Sequence, residues 1–418
     1  MDSKIKNIGS PQLRFPSFHG DWVEKKLGDF FELRNGYAFK SDSYVERGKY
    51  KIITISNVQN GKLDISNCKC IDQLPSNIAK HQLLNIGDII VSMTGNVGRV
   101  CIVDKPNCLL NQRVGLLEQI DNSISRSYLY SLINSAQFES AMIKSGQGAA
   151  QANISKDSIE SFPILLPPTI GEEEKIASCL TEIDKMITSQ SQEAEALANH
   201  KKGLLQQIFP RSGESIPRLR FPGFNGAWEE KPLSHFLYEH KTKSDGKCEV
   251  HSVSVAKGVI NQVEYLGRSF AAADTSKYNL VKPNDIIYTK SPTGSFPYGI
   301  IKQNKNPYNV IVSPLYAVYT PVSKYLGYIL DSYFENPVNT NNYLSSLVQK
   351  GAKNTIQISN DTFVSKSMRL PSDPEEQKKI AECLMAIDDN ITASIAKLDA
   401  LKAHKKGLMQ QLFPQDNQ

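Results

Sequence analysis

Leu13-Arg14-Phe15-Pro16-Ser17-Phe18-His19-Gly20-Asp21-Trp22 returns 206 residues later as Leu219-Arg220-Phe221-Pro222-Gly223-Phe224-Asn225-Gly226-Ala227-Trp228. A second box repeats with nearly the same shift. His200-Lys201-Lys202-Gly203-Leu204-Leu205-Gln206-Gln207-Ile208-Phe209-Pro210 returns 204 residues later as His404-Lys405-Lys406-Gly407-Leu408-Met409-Gln410-Gln411-Leu412-Phe413-Pro414. The chain therefore reads as lobe, helix, lobe, helix. Such a chain folds with an approximate two-fold, and a two-fold object suits duplex DNA that carries a split site.

Each second box closes a long helix. From Glu172 to about Ile208, apolar or small residues fall at Ile176, Leu180, Ile183, Ile187, Ala194, Leu197, Leu204 and Ile208. The steps alternate four and three, which is a heptad seam. Ile380, Leu384, Ile387, Ile391, Leu398, Leu401, Leu408 and Leu412 repeat the register. The polar breaks correspond too: Gln190 matches Ser394, and Lys201 matches Lys405. Buried polar positions fix register, so the two helices are expected to pair with each other. Pro167-Pro168, and Pro371 with Pro374, stop the preceding strand and open each helix. About 37 residues each gives a rod of roughly 55 Å, longer than one turn of B-DNA.

The lobes read as mixed α/β (α+β). Lys51–Ser56 and Asp88–Met93 read as strands in the first, and Val250–Val255 and Asp285–Thr289 in the second. Ser127 to about Lys144 and Ser323 to about Lys350 read as helical, the latter interrupted by Pro337. The division is residues 1–170 for the first lobe, 171–212 for the central helix, 213–370 for the second lobe and 371–418 for the last helix. Between the repeated edges the lobe sequences diverge. The frame repeats and its contents do not.

Charge follows this division. The chain of 418 residues carries +5, with +3 on residues 1–170, +6 on 213–370 and −2 on each helix segment. A basic excess on the lobes suits contact with phosphate, although +3 over 170 residues is within ordinary scatter. No run of 18 apolar residues occurs, so no membrane span is expected. Met1-Asp2-Ser3-Lys4-Ile5-Lys6 lacks the apolar stretch of a secretory signal. Seven cysteines, with Cys179 and Cys383 at equivalent helix points, fit a reduced, cytoplasmic setting. Cys68, Cys70, Cys101 and Cys108 miss the usual zinc spacing, so no metal site is expected.

These paired boxes resemble the specificity (S) subunit of type I restriction–modification enzymes. The carrying residues are Leu13–Trp22 with Leu219–Trp228, the openings Glu172–Asp184 with Glu376–Asp388, and the two His-Lys-Lys-Gly-Leu ends. The resemblance covers nearly the whole chain. It implies two target recognition domains, each reading half of a bipartite double-stranded DNA site, and an antiparallel coiled coil that sets the spacer. It implies docking of two methyltransferase subunits and, through them, restriction (motor-nuclease) subunits. Catalysis would lie in those partners, which would hold S-adenosylmethionine, ATP and Mg, while this chain binds no cofactor. Glu173 stands where Gln377 does, with no functional consequence expected.

The residues themselves carry no catalytic motif. No G-x4-G-K-[ST] phosphate cradle and no Asp/Asn-Pro-Pro-aromatic tetrapeptide occurs; Asn306-Pro307-Tyr308 lacks the second proline and reads as a turn. Asp373 with Glu376 and Lys378 opens a helix, where acidic residues are favoured anyway. His200 and His404 read as charged helix ends. A self-sufficient DNA enzyme is disfavoured on these grounds, and a two-lobed scaffold binding protein stays open as the alternative.

For DNA contact the candidates lie on loops. Thr94, Asn96 and Arg99 sit in a loop with Gly95 and Gly98, which lets the backbone approach closely. Lys290, Ser291, Thr293 and Ser295 are its counterpart. Asn111, Gln112 and Arg113 form a second cluster: Asn and Gln match adenine edges, and Arg matches guanine. Gln147 and Gln151, with Lys353 and Asn354, precede the last strand of each lobe. Each of these also reads as an ordinary turn, solvated surface or connector. Trp22 and Trp228, identical in both copies, read as core or docking rather than base-stacking residues. The apolar seams read as coiled-coil core, their outer faces as partner-binding surface.

Overall fold

The computed structural model describes residues 7–8, 11–146, 152–211, 213–272, 274–350 and 356–413. By packing, the chain falls into two units: Met1–Ser189 with Leu398–Gln418, and Gln190–Lys397. Each unit contains one lobe and a stretch of both long helices.

In the first unit, Val100–Ile102, Ile89–Ser92, Val114–Gln119 and Phe31–Asn35 form a four-stranded antiparallel sheet in that order. The side chains of its Ile89–Ser92 strand alternate between two cores. Ile89 and Val91 join Trp22, Phe31, Leu117 and Tyr128, whereas Ile90 joins Ile53, Cys101, Val114 and Leu116. A strand buried on both faces needs an unbroken apolar run, which explains Ile89-Ile90-Val91. A second sheet orders Lys69–Ile71, Tyr50–Ile53, Cys108–Leu110 and Leu83–Leu84, with Tyr50–Ile53 parallel to Cys108–Leu110. The second unit repeats the device. Leu237–Glu239, Ala317–Pro321, Ile286–Tyr288 and Ile301–Gln303 form its four-stranded sheet. There Ile286 and Tyr288 face one core and Ile287 faces the other.

The expected helix from Ser127 to Lys144 is two helices, Arg126–Ile133 and Ala136–Ser145. Ser135 breaks it: its side chain accepts the Phe138 N–H and caps a new start. The expected helix from Ser323 to Lys350 ends at Ser345, and Gln349–Lys350 is strand. Pro337 sits in the first turn of its second half, behind an Asn336 cap.

The long helices span Ile170–Ile208 and Pro374–Leu412, 39 residues each, opening two residues ahead of the expected glutamates. Asp373 Oδ1 accepts the Glu375 N–H at 2.8 Å and so supports the second opening. The helices run antiparallel in both units. In the first, Lys405 Nζ lies 2.7 Å from Asp184 Oδ1; in the second, Lys201 Nζ lies 2.7 Å from Asp388 Oδ1. Gln190 Nε2 donates directly to Ser394 Oγ at 2.8 Å. The matched polar breaks are therefore one direct pair and two lysines that each reach an aspartate of the other helix.

The seam is fully buried where it meets a lobe. Ile176 and Leu180 share a core with Leu412 and Phe413 in one unit, as Ile380 and Leu384 do with Ile208 and Phe209 in the other, and Ile183 is buried as well. Ile187, Leu197 and Leu204 are half-buried, as are Ile387, Ile391, Leu398, Leu401 and Leu408. The repeated tryptophans are interior. Trp22 packs edge-on against Tyr128 and Phe413, and Trp228 against Phe209. They anchor each lobe to a helix end and are closed to base stacking. Among the described residues, no helix is long and apolar enough to cross a membrane.

Candidate nucleic-acid interface

In the first lobe three segments meet at one end of the four-stranded sheet. The hairpin loop after Ser92 is pinned by its own hydroxyl. Ser92 Oγ donates to the Asn96 carbonyl, and the Arg99 N–H donates to Ser92 Oγ at 3.1 Å. Gly95 and Gly98 take positive φ, +69° and +79°, which a side chain would strain. The Met93 N–H donates to the Arg113 carbonyl at 3.0 Å, joining the loop to the 111–113 turn. On the other side, the Ile154 N–H donates to the Met93 carbonyl, and Thr94 bridges to Asn153.

The side chains divide by what they already hold. Asn96, Gln112 and Arg113 are exposed. Thr94 is half-buried, and its hydroxyl has no partner among the described residues. Asn111 Oδ1 faces the Arg113 N–H at 3.4 Å, within its own turn. Arg99 is committed elsewhere: Nη1 donates to Gln59 Oε1 at 3.1 Å, and Nε lies 3.5 Å from Glu139 Oε1. Glu139 in turn accepts from Asn60 Nδ2 at 3.0 Å. Arg99 thus ties the loop's exit to the helix Ala136–Ser145.

Sequence reasoning passed over Tyr37 and Asn77. Tyr37 Oη donates to Asn77 Oδ1 at 2.7 Å, and the Gln112 N–H donates to the Tyr37 carbonyl at 3.0 Å. The signal was Gly36, where a Cβ would lie 2.1 Å from the Asn111 carbonyl oxygen. Only glycine permits that approach, so Gly36 seats Tyr37 against the turn.

The second lobe has the same construction. Thr289 replaces Ser92: its N–H donates to the Ile300 carbonyl, and its hydroxyl accepts the Ile300 N–H, both at 3.1 Å. Ser291, Thr293 and Ser295 are exposed. Lys290 is turned in, donating to Asn360 Oδ1, while Asn360 donates to Glu239 at 2.6 Å. Burial pulls the Lys290 ammonium below its ordinary value. Lys241 and Lys243, just beyond the strand Leu237–Glu239, are exposed cations that sequence reasoning did not single out. Gln147, Gln151, Lys353 and Asn354 lie outside the described residues.

Residues weighed for chemistry have structural work. Asn306 Nδ2 donates to the Val259 carbonyl at 3.0 Å and to Asn304 Oδ1 at 2.9 Å. Burial pushes the thiols of Cys68 and Cys101 up to about 12. Thiols held protonated in this way are poor metal ligands.

Residues 19–199 match the family described as the type I restriction modification DNA specificity domain. The chain is 24% identical to the putative type I restriction enzyme MjaX specificity subunit of Methanocaldococcus jannaschii, over 94% of this chain and 93% of that one. It is 23% identical to the MjaVIII specificity subunit of the same organism, over 96% and 95%. Its fold is similar to that of the type I restriction–modification S subunit of M. genitalium. That likeness has a TM-score of 0.62 at 14% identity and covers 97% of this chain and 99% of the other.

Proposed function

We propose that the chain is a specificity subunit of the type I restriction–modification kind and reads a bipartite DNA target with one lobe per half-site, a reading supported by the matched family over residues 19–199 and by the two full-length relatives. The lobes over residues 1–170 and 213–370 act as target recognition domains, and the long helices connect them. One observation carries this reading. Both lobes build the same hydroxyl-pinned hairpin loop, through Ser92 and Thr289, yet present different side chains from it. A constant frame with variable contents is what two unlike half-sites require.

The chain supplies recognition only. Two methyltransferase subunits dock on the helices and methylate adenine with S-adenosylmethionine. Restriction subunits join them and use ATP and Mg to translocate and cut. The exposed Asn96, Gln112 and Arg113 are suited to base edges, and Ser291, Thr293 and Ser295 to edges or phosphates. Arg99 and Lys290 hold the loops that carry them.

Exchange of residues 11–166 for the first lobe of another specificity subunit tests the reading. The expected result is a methylation motif changed in one half and intact in the other. Change in both halves, or in neither, overturns it.

A further inference from the structure

Each lobe carries one tight turn that leads into the central strand of its four-stranded sheet. In the first lobe this is Asn111-Gln112-Arg113-Val114, closed by the Val114 N–H on the Asn111 carbonyl at 2.8 Å. In the second it is Ser313-Pro314-Leu315-Tyr316, closed by the Tyr316 N–H on the Ser313 carbonyl at 3.1 Å. The first residue of each turn also uses its side chain in the same way. Asn111 Oδ1 accepts the Arg113 N–H at 3.4 Å, and Ser313 Oγ accepts the Leu315 N–H at 3.3 Å. Strand register gives the same equivalence independently. Gly115 pairs with Val91 and Ala317 with Tyr288, each one residue before the pinning Ser92 or Thr289. Arg113 and Leu315 therefore occupy the same third position of the same turn.

Neither side chain serves its own lobe. Arg113 is exposed, and its guanidinium has no partner among the described residues, unlike that of Arg99. Leu315 is 74% exposed, more than any other large apolar side chain described. Pro314 has a fixed φ on one side of it and the turn hydrogen bond holds Tyr316 on the other, so the leucine is displayed on a stiff support. A lone exposed leucine is ordinary; one displayed at the position where the sister lobe displays an unpaired arginine is matched to a contact.

We infer that this position is a specificity determinant in both lobes, Arg113 reading a guanine edge and Leu315 a thymine methyl group. The inference rests on the DNA-reading function proposed above. The chemistry comes from the major groove, where guanine offers O6 and N7 to a guanidinium and thymine offers an apolar methyl. The lobes would thus differ at one matched position by the polarity of the base they prefer.

The test uses the full chain complexed with methyltransferase subunits. The methylated motif is mapped first, for the wild type and for Leu315→Ala and Arg113→Leu. Binding is then measured on the mapped duplex with uracil replacing each thymine in turn, and 7-deazaguanine replacing each guanine. One uracil in the second lobe's half-site should weaken wild-type binding about fourfold, the worth of one buried methyl, and leave Leu315→Ala unaffected. One 7-deazaguanine in the other half should cost about tenfold or more in the wild type and nothing in Arg113→Leu. A split motif whose second half contains no thymine, or whose uracil forms all bind like the parent, overturns the inference while the DNA-reading function stands. Absence of any split motif from the wild type removes that function and this inference together.

Discussion

Arg14 grips Glu172 at two points, Nε to Oε1 at 2.7 Å and Nη2 to Oε2 at 2.8 Å. Arg220 grips Glu376 in the same way, at 2.6 and 2.8 Å. Each glutamate is 1% exposed, so the repeated Leu-Arg-Phe-Pro box is a clasp that binds the start of a lobe to the opening of a long helix. Removing either arginine strands a buried carboxylate. Arg14→Ala or Arg220→Ala should destabilise its unit by about 3 kcal/mol or more, read as a lowered thermal unfolding midpoint. Lysine at either position keeps the charge but not the fork, and should recover only part of the loss.

Glu173 and Gln377 occupy equivalent helix positions, and both are buried. Glu173 Oε2 accepts the Ser125 N–H at 2.7 Å, and Gln377 Oε1 accepts from Ser323 Oγ at 2.8 Å. Burial raises the Glu173 carboxyl above its ordinary value, against the pull of that N–H, with Glu174 adding to the rise. A raised folded value means that protonation favours the fold. The contribution is complete below the unfolded value, about 4.3, and is lost as pH rises through the folded one. Glu173→Gln should therefore raise stability at pH 7 and narrow its advantage over wild type as pH falls toward about 4.3. An equal difference at both pH values would contradict this.

Lys201 is a buried cation of the helix pair, held by Asp388 at 2.7 Å and Glu335 at 2.6 Å. Burial alone would lower it, but the two carboxylates outweigh burial and its net value is raised. The stabilisation it gives is complete below the unfolded lysine value, about 10.4, and is lost as pH rises through the higher folded value. The stability advantage of wild type over Lys201→Met should be constant between pH 7 and 9 and shrink as pH rises above about 10.4. An advantage that stays constant or grows there, followed by alkaline unfolding, would contradict this.

Arg99 and Lys241 should separate support from contact. Arg99→Ala removes the tie to Gln59 and Glu139, and should lower stability without changing the methylated sequence. Lys241 is exposed and has no partner among the described residues. Lys241→Ala should weaken DNA binding evenly across sequences and reduce the log–log salt slope by about 0.9. A shift in motif from Arg99→Ala would instead place that guanidinium on a base.

The frame was legible because repetition filtered it. Gln190 with Ser394 and Lys201 with Lys405 were visible as matched breaks in two heptad seams, and the structure pairs the first two directly. The aspartates that receive the lysines, Asp184 and Asp388, were not, because a surface-facing heptad position gives no sign of which cation will reach it. The runs around Ile89–Val91 and Ile286–Tyr288 were legible as strands, and the structure adds that each is buried on both faces. The site was less legible. Loop sequence showed which side chains offer hydrogen bonds but not which were already engaged, and Arg99 and Arg113 look alike on paper. Leu315 was invisible for the opposite reason: it carries no polar atom, and only the matched turn and register set it beside Arg113.

The most direct measurement is to co-express the chain with a cognate methyltransferase subunit and map methylated adenines across genomic DNA. The account predicts one split motif, two short halves with a fixed spacer, present only when this chain is present. A stable complex that methylates without a motif, or whose motif is a single uninterrupted sequence, would contradict it.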